Sequence, residues 1–484
     1  MTPAMESGLW TAAEAMAATN GRTDAEWRAE GVSIDSRMVN PGDLFVAIRG
    51  PKFDGHDFAA DALAADAAAA VVDRRPDGIE DDAPLLIVNE TTIALEDLGR
   101  AARSRTNAKI IAVTGSVGKT GTKEALRFVL EKQGRCMASE GSFNNHWGVP
   151  LSLSRMPADT DFGIFEIGMN HAGEITPLTE MVSPHVAVIT NVEAVHSAHF
   201  DSIEAIADAK AEIFQGLGSD GAAVINRDSV LYDHLHAAAI AANINNVIGF
   251  GGHPEARVRV TEVSIESDGS TIRALVDGEE ILYRLGLPGR HWVMNSLAVL
   301  AAVGAAGGEI GPAAAELAGM IGLKGRGQRH TVEVSGGSFI VIDESYNASP
   351  VSMNAAFEVL GRMEPEGGGR RVAVLGDMLE LGAESGAQHA ALVESLIAER
   401  INVVFTAGQY MGALWDVLPR SMRGATANSA AQLLPKVTGM IRAGDVVVVK
   451  GSAGSNTGPI VDALLDLGNP CGGDPDNHKQ VVNG

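Results

Sequence analysis

The 484-residue chain contains little cysteine and few aromatic residues. Its two cysteines, Cys136 and Cys471, cannot form a disulfide framework, and their spacing fits no zinc site. We expect two free thiols in a reducing compartment. Aromatic residues make up only 5% of the chain, whereas glycine occurs 56 times. This composition suits helices and tight turns around parallel strands better than an aromatic-rich β-sandwich.

Positive charge and long apolar runs are also scarce. The chain has 37 Lys and Arg against 61 Asp and Glu, a formal charge of −24. Such a charge opposes non-specific binding to nucleic acid or anionic membranes, so a polyanion needs a local site. The most apolar stretch, Ser296–Gly307, is shorter than the roughly 20 residues of a membrane span, and residues 1–20 lack a signal-peptide pattern. We expect a soluble, cytoplasmic monomer that binds small molecules, without nucleic-acid partners or membrane insertion.

The pattern of apolar runs predicts an α/β protein of three domains. A small α/β N-terminal domain is expected over residues 1–106, with an alanine-rich helix at Phe58–Ala70. Short buried strands then alternate with helices, which is typical of βαβ units on a parallel sheet, and predict a central P-loop domain over residues 107–328. A second series of alternating strands and helices predicts a Rossmann-like α/β domain over residues 329–467. Residues 468–484 read as a flexible tail.

Inside the central region the periodicity changes once. Between Arg257 and Leu287 apolar residues alternate with polar ones, and Asp268-Gly269 interrupts them. Alternation around such a turn predicts a β-hairpin. A helix from about Trp292 to Gly304 follows, and the glycine-rich segment 324–327 reads as the hinge to the last domain.

The strongest functional signal is a phosphate-binding loop after the apolar strand Ile110–Val113. Small residues let backbone N–H groups converge on phosphate oxygens, and the N-terminus of the following helix adds partial positive charge. We expect Lys119 to bind the β- and γ-phosphates and the Thr120 hydroxyl to bind Mg²⁺. The alternative is a glycine-rich turn with a surface lysine. The predicted ATP-binding residues of this loop are Thr114, Gly115, Ser116, Val117, Gly118, Lys119 and Thr120.

Further candidates follow later strands, where open α/β sheets place their ligands. Glu166 closes the apolar run Phe162–Ile167 and could hold or orient a metal ion. His196 follows the next strand, and Lys210 lies in a helical segment beyond it. Taken singly, each has a plain alternative: a solvated strand-end glutamate, a surface histidine and a solvated helix lysine.

The combination of motifs along the chain resembles the Mur ligases, and more narrowly those members that add D-alanyl-D-alanine. The resemblance covers nearly the whole chain apart from its termini. The motifs that carry it are the loop 114–120, Asn144–Pro150, Phe165–Glu174, Asn191–Phe200, Lys210–Phe214, Gly289–Asn295, Asp343–Pro350, Leu375–Gly382 and Lys450–Ser452, together with Ser33–Arg37 and Asp54–His56.

This resemblance implies an ATP- and Mg²⁺-dependent ligase of peptidoglycan precursor synthesis. Its substrates would be UDP-N-acetylmuramoyl-tripeptide and D-alanyl-D-alanine, joined through an acyl-phosphate intermediate. Two other interpretations of the function remain open. One is a related ligase that adds a different amino acid to a muramoyl-peptide, or glutamate to a folate. The other is a nucleotide-binding scaffold without catalysis.

The resemblance also implies roles for individual residues. Lys119, Glu166, His196 and Lys210 would be catalytic, with one Mg²⁺ on Thr120 and Glu166 and a second on His196 and a carbamylated Lys210. The remaining implied contacts are Asn295 with the adenine, Arg326 with the γ-phosphate, Glu344 with the ribose, Ser36 and Arg37 with the uridine diphosphate, Asn145 with the muramoyl-peptide and Asp377 with the dipeptide.

Three of these residues have structural alternatives: Asn295 as a packing or capping residue, Arg326 as a basic hinge residue, and Asp377 as a ligand of its own loop. The chain also differs at three positions from the residues that the resemblance to the Mur ligases leads us to expect. Gly121 replaces a frequent threonine, Trp292 a frequent asparagine and Ala453 a usual arginine.

Overall fold

A computed structural model describes residues 8–193 and 200–468 and contains four β-sheets. A two-stranded and a four-stranded sheet are formed near the N-terminus, a nine-stranded sheet in the middle and a six-stranded sheet near the C-terminus. Within these two ranges, no helix has the length and apolar character required to cross a bilayer.

The N-terminal region is a parallel sheet with helices against it. Its strands are β1 (Trp10–Thr11), β2 (Arg28–Ala29), β3 (Gly31–Ser33), β4 (Asp43–Val46), β5 (Ala69–Val72) and β6 (Leu85–Ile87). Its helices are α1 (Ala12–Thr19), α2 (Ala59–Ala64) and α3 (Thr91–Ser104). Strands β3 to β6 pair in parallel and in sequence order, whereas β1 and β2 form a separate antiparallel pair.

The alanine-rich helix predicted at Phe58–Ala70 is wrong in its second half. Helix α2 ends at Ala64, and Asp66 takes a left-handed backbone conformation with φ of 65°. Ala69–Val72 then forms the buried strand β5 between β4 and β6. Alanine favours helices locally, but burial in the centre of a sheet decides the structure of these four residues.

The middle region carries the expected βαβ units. Its strands are β7 (Lys109–Thr114), β8 (Cys136–Ala138), β9 (Phe162–Glu166), β10 (Val186–Ile189), β11 (Ala222–Asn226), β12 (Asn246–Gly251), β13 (Val258–Ile265), β14 (Ser270–Val276) and β15 (Glu279–Leu285). Its helices are α4 (Lys119–Leu130), α5 (Gly148–Ser154), α6 (Ile175–Val182), α7 (Ile203–Ala211), α8 (Tyr232–Ala241), α9 (Arg290–Ala305) and α10 (Ile310–Glu316).

These nine strands form one sheet in the order β15-β14-β13-β12-β11-β10-β7-β9-β8. Strands β7 to β12 are parallel, which confirms the parallel sheet. The predicted hairpin is also confirmed, since β13 and β14 pair antiparallel. It belongs to the same sheet and β15 extends it, so the sheet as a whole is mixed. Strand β7 lies between β9 and β10, which places the loop after it at an inner position of the sheet.

The C-terminal region is a second α/β layer structure. Its strands are β16 (Gln328–Val334), β17 (Gly337–Glu344), β18 (Arg371–Gly376), β19 (Val403–Ala407), β20 (Arg423–Ala427) and β21 (Val446–Lys450). Its helices are α11 (Pro350–Arg362), α12 (Ser385–Ala398), α13 (Met411–Val417), α14 (Ala430–Thr438) and α15 (Gly458–Asp466). The sheet order is β16-β17-β21-β18-β19-β20, with β16 antiparallel at one edge. The edge strands β16 and β20 were not predicted, because both are only partly buried and carry polar residues.

Candidate active site

A cavity of about 820 Å³ brings together segments that are distant in the sequence. Its lining includes the loop after β7, Glu166 at the end of β9, and Arg326 and Tyr346 of the hinge and the C-terminal region. Asn144 and Asn145 also line it, as does Arg100 of α3 from the N-terminal region. A cavity of this size is in the range of small-molecule and cofactor sites.

The backbone of the loop is shaped as a phosphate cradle. Gly115 and Gly118 have φ of 147° and 88°, values that favour glycine. A Cβ on Gly115 would lie 2.0 Å from Thr190 Oγ1, and a Cβ on Gly118 would lie 2.8 Å from Asn295 Oδ1. Side chains at these positions are therefore excluded, and helix α4 begins directly after Gly118 at Lys119. The loop fits an anion at a helix N-terminus.

Residues after β10 hold this loop in place. Thr190 Oγ1 donates to Val117 O at 2.6 Å, and Asn191 Oδ1 accepts from Val117 N at 2.9 Å. Neither residue has a role predicted from the sequence, although Asn191 begins one of the motifs of the resemblance and both follow an inner strand, where parallel sheets place functional groups. Thr114 Oγ1 is buried and has no hydrogen-bond partner in the described part of the chain, so a polar atom remains available at the start of the loop.

Lys119 turns back onto the loop, where Nζ donates to Gly115 O at 2.8 Å. Burial lowers the pKa of Lys119; Glu166 opposes this effect and Arg326 adds to it. An acidic group and a second cation therefore lie close enough to act on the Lys119 ammonium, as expected for a cation that offsets charge at a transferred phosphate. This arrangement argues against a plain surface lysine.

Glu166 is buried, with an exposed fraction of 1%, which excludes the solvated strand-end alternative. Oε2 accepts from Thr120 Oγ1 at 2.7 Å, and Oε1 accepts from Asn144 Nδ2 at 2.7 Å. The predicted pairing of Thr120 and Glu166 is therefore present as a direct contact. Hydroxyl and carboxylate oxygens are ligands that Mg²⁺ prefers, so this pair fits a magnesium site. Asn144, which makes this contact with Glu166, has no role predicted from the sequence.

Lys210 is also buried, with 2% exposure, and not a solvated helix lysine. Its side chain makes no hydrogen bond or ion pair with any residue in the ranges 8–193 and 200–468. Burial and the nearby charge of Lys119 lower its pKa well below the ordinary value. His196, the other half of the predicted second metal site, lies outside the described residues.

Two residues that are predicted to bind the nucleotide lie near the phosphate loop but belong to other parts of the chain. Asn295, on α9, contacts Gly118 closely enough to exclude a side chain there. Arg326 lines the cavity, and its guanidinium carbon lies 4.4 Å from the centre of the Tyr346 ring. Gly325, immediately before it, donates its backbone N–H to Asp343 Oδ2 at 2.7 Å, so the hinge is fixed to the end of β17. Arg326 is thus a hinge residue that also faces the phosphate loop.

Glu344 is held by a buried lysine that the sequence analysis did not assign. Lys450 Nζ donates to Glu344 Oε2 at 3.0 Å and to Asn347 O at 2.9 Å, and Lys450 is 2% exposed. The contact joins the ends of the neighbouring strands β17 and β21. Glu344 itself does not line the large cavity.

The predicted substrate residues differ in where the structure places them. Asn145 lines the cavity, and its Oδ1 accepts from Trp147 N at 3.2 Å and Gly148 N at 2.9 Å. Ser36 and Arg37 lie outside the cavity lining, and Arg37 pairs with Asp35 at 2.6 Å on the surface. The structure does not bring these two residues to the phosphate loop.

Asp377 lies just after β18, but one of its carboxylate oxygens is occupied by hydrogen bonds. Its Oδ1 accepts from Tyr410 N at 3.1 Å and from Met411 N at 2.9 Å. The carboxylate therefore caps α13 rather than only its own loop. The cavity is lined instead by the residues just beyond it, including Leu379 and Leu381, and by Ala453, where the resemblance led us to expect arginine.

Comparison with known proteins identifies the family. The chain matches the "Mur ligase family, catalytic domain" over residues 28–112, the "Mur ligase middle domain" over 113–303 and the "Mur ligase, glutamate ligase domain" over 325–453. The chain therefore belongs to the Mur ligase family, and the fold and the buried loop described above are those of a ligase.

Individual relatives are similar over most of their length. UDP-N-acetylmuramoyl-tripeptide–D-alanyl-D-alanine ligase of Rickettsia prowazekii is 33% identical, covering 89% of this chain and 94% of that protein. The Escherichia coli protein of the same name is 33% identical, covering 92% and 95%. A crystal structure of MurF from Acinetobacter baumannii has 29% identity and a TM-score of 0.80, covering 94% of this chain and 99% of that one.

Proposed function

We propose that this chain is the ATP-dependent ligase that joins D-alanyl-D-alanine to UDP-N-acetylmuramoyl-tripeptide in peptidoglycan precursor biosynthesis. The observation that carries the proposal is the meeting of Lys119, the Thr120–Glu166 pair and Arg326 in one cavity. The Rickettsia prowazekii and Escherichia coli relatives are named for this activity, and each is similar to this chain over about nine tenths of its length. A scaffold that only bound nucleotide would not need a carboxylate in contact with the hydroxyl of the phosphate loop.

The chemistry follows from the reactants. A carboxylate is a poor electrophile, so the terminal carboxylate of the tripeptide first attacks the γ-phosphorus of ATP, which forms an acyl phosphate and releases ADP. The amine of D-alanyl-D-alanine then attacks, and phosphate leaves. Both reactants of the first step are anions, so the cations Lys119 and Arg326 must offset their repulsion.

In this proposal the phosphates bind on the backbone of residues 114–120, where Gly115 and Gly118 allow close approach. Thr120 and Glu166 hold one Mg²⁺, and Asn144 orients the carboxylate through Oε1. Mg²⁺ would neutralise charge on the transferring phosphate and align its oxygens. Asn295 would contact the adenine. Glu344, which Lys450 holds in place, would contact the ribose.

We also propose that Lys210 carries a carbamate. As an ammonium, Lys210 would be a buried cation near Lys119 with no side-chain partner among residues 8–193 and 200–468, which is costly. A carbamate is instead an anion that Lys119 attracts. With His196, it would hold a second Mg²⁺.

The tripeptide nucleotide would extend from the N-terminal region toward the phosphate loop. We assign the uridine diphosphate to residues 1–106, near Ser36 and Arg37, and the muramoyl-peptide to Asn145 at the cavity. Residues 107–328 form the ATP-binding domain, and residues 329–467 form the domain that contributes Glu344 and the dipeptide site near Asp377. Precursor synthesis of this kind takes place in the cytoplasm, and we propose a monomeric enzyme there.

One assay tests the proposed function. The protein is mixed with ATP, Mg²⁺, the muramoyl-tripeptide nucleotide and one acceptor from a panel: D-alanyl-D-alanine, L-alanyl-L-alanine, D-alanine, D-glutamate or L-lysine. We expect phosphate release and a pentapeptide product only with D-alanyl-D-alanine. Release with a single amino acid would favour another amino-acid ligase, and binding of ATP without release would favour the scaffold.

A further inference from the structure

Lys123 is a buried cation to which the chemistry described above assigns no role. It belongs to α4, about one helical turn beyond Lys119, and its exposed fraction is 0%. It does not line the active-site cavity, so its ammonium acts on protein groups rather than on a ligand. Burial of an ammonium is costly unless the charge is paired and hydrogen-bonded. The partners of Lys123 therefore show what this lysine holds in place.

The Lys123 ammonium has three N–H groups, and the structure provides an acceptor for each. Nζ donates to Ser139 O at 2.6 Å and to Gly141 O at 3.0 Å, and it pairs with Glu124 Oε1 at 2.6 Å. Arg127 also donates to Glu124, so that carboxylate does not depend on Lys123 for a cationic partner. Ser139 and Gly141 follow strand β8, so the lysine fastens the chain after β8 to α4.

The 139–146 segment, which Lys123 holds, runs from β8 toward α5 and reaches the active site. Asn144 Nδ2 donates to Glu166 Oε1 at 2.7 Å, and Asn144 O accepts from Gly168 N at 2.8 Å. Ser139 Oγ accepts from Glu166 N at 3.2 Å. The segment therefore contacts both the backbone and the carboxylate of Glu166. Its cavity-lining residues are Ser142, Asn144, Asn145 and His146.

Helix α4 reaches the same glutamate by a second route. Thr120 Oγ1 donates to Glu166 Oε2 at 2.7 Å, whereas Asn144 binds Oε1. Thr120 and Lys123 are three residues apart, so they lie on the same face of α4. One face of this helix therefore acts on both oxygens of the carboxylate: directly on Oε2 through Thr120, and on Oε1 through Lys123, the 139–146 segment and Asn144.

We propose that Lys123 is a positioning residue of the magnesium site. It holds the 139–146 segment so that Asn144 keeps the Glu166 carboxylate in its orientation toward Thr120. This inference rests on the proposed function, because it takes Thr120 and Glu166 as residues that hold one Mg²⁺. Loss of a group that orients a metal ligand typically lowers metal affinity by about 10- to 100-fold. A lysine with only a structural role would affect stability and leave the Mg²⁺ dependence unchanged.

The test removes the ammonium and measures the dependence on Mg²⁺. Lys123→Met has a side chain of similar length without donors, and Lys123→Gln keeps an amide that can donate to the carbonyls. For Lys123→Met we expect the Mg²⁺ concentration at half-maximal ATP turnover to rise about tenfold or more, and for Lys123→Gln to rise less. Calorimetric titration with ADP at several Mg²⁺ concentrations should show the same shift without turnover. At saturating Mg²⁺ the KM of D-alanyl-D-alanine should stay unchanged.

A double-mutant cycle tests the route through Asn144. Asn144→Ala removes the donor to Glu166 Oε1 and should itself raise the Mg²⁺ requirement. Because Lys123 acts through Asn144 in this proposal, Lys123→Met should add little in the Asn144→Ala background. If the two effects multiply instead, Lys123 does not act through Asn144 and the inference is overturned.

Two variants on or near α4 serve as controls. Lys132→Met changes an exposed lysine just beyond the helix and should leave both the Mg²⁺ dependence and the stability unchanged. Leu126→Ala removes a buried core side chain of α4 and should lower the free energy of unfolding, again without a change in Mg²⁺ dependence. An equal Mg²⁺ shift in Leu126→Ala would overturn the inference, because the shift would then follow from lost stability.

The outcomes also separate this inference from the proposed function. Glu166→Gln should raise the Mg²⁺ requirement more than either Lys123 variant; if it has no effect, the proposed magnesium site itself is wrong. If Glu166→Gln shifts the Mg²⁺ dependence and the Lys123 variants do not, only this inference is overturned. Should Lys123→Met fail to fold, Lys123→Gln decides between the same two outcomes.

Discussion

Gly121 leaves the space that the indole of Trp292 occupies. A Cβ on Gly121 would lie 2.9 Å from Trp292 Cη2 and 3.1 Å from Cζ3. Trp292 is 7% exposed and packs with the apolar residues between α4 and α9. Gly121 belongs to α4 and Trp292 to α9, so the missing side chain on one helix makes room for the large side chain on the other.

The first prediction concerns this contact. Gly121→Thr should destabilise the protein by about 1–3 kcal/mol, because the added side chain overlaps the indole in a packed core. Urea unfolding gives the free-energy change. Gly386→Thr is the control: Gly386 is also in a helix, and a Cβ there meets nothing within 4 Å, so its stability should change little.

A second substitution separates overlap from helix propensity. Trp292→Leu makes room, so Gly121→Thr with Trp292→Leu should lose less stability than the sum of the single changes. Simple additivity of the two changes would show that the close approach does not determine stability here.

The second prediction concerns Lys119. Lys119→Ala should lower ATP turnover by about 1,000-fold or more, because it removes a cation that offsets charge at the transferring phosphate. Cooperative unfolding should be retained. Lys132→Ala, just beyond the same helix and largely exposed, is the control and should leave turnover unchanged. Retained turnover in Lys119→Ala would refute the assignment of the phosphate loop.

The third prediction concerns the proposed carbamate on Lys210. Lys210→Ala should abolish most activity, and short carboxylic acids should restore part of it by supplying an anion in the space left by the side chain. Lys436→Ala, at a surface helix, should neither lose activity nor respond to the acids. Intact-protein and peptide mass measurements at neutral pH would show the added carbon dioxide. Absence of both the rescue and the extra mass would contradict the carbamate.

The fourth prediction concerns pH and His389. This buried side chain is held as a neutral ring, because Nδ1 donates to Ser385 O at 2.6 Å and Nε2 accepts from Met378 N at 2.9 Å. Burial lowers its pKa in the folded state. Below about pH 6.5 the unfolded chain therefore takes up a proton that the folded chain resists, and stability falls as pH falls.

His389→Gln cannot titrate and should remove this part of the pH dependence. Urea unfolding between about pH 7.5 and pH 5.5 would give a shallower loss for the variant, by up to about 1.4 kcal/mol per pH unit. Other histidines with lowered pKa, such as His185 and His291, are present in both proteins and cancel in the comparison. Parallel pH curves for the two proteins would contradict the prediction.

Local patterns were sufficient to predict the elements that carry the phosphate loop. An apolar strand followed by small residues and then a helix gives β7, the loop and α4, since each depends on neighbours in sequence. The alternation from Val258 predicted the hairpin for the same reason. Ala69–Val72 could not be assigned locally, because its conformation depends on burial between two strands.

The sequence by itself determined the three-part α/β organisation, the phosphate loop and the chemical types available around it. Only the tertiary structure decided which of these groups meet. Glu166 accepts hydrogen bonds from both Asn144 and Thr120, and Glu344 accepts one from Lys450. The indole of Trp292 occupies the space beside Gly121. These partners are 22 to 171 residues apart, and only the pairing of strands and the packing of helices bring them within contact distance. These contacts cannot be predicted from residue spacing, because the position of a side chain in space depends on the whole fold.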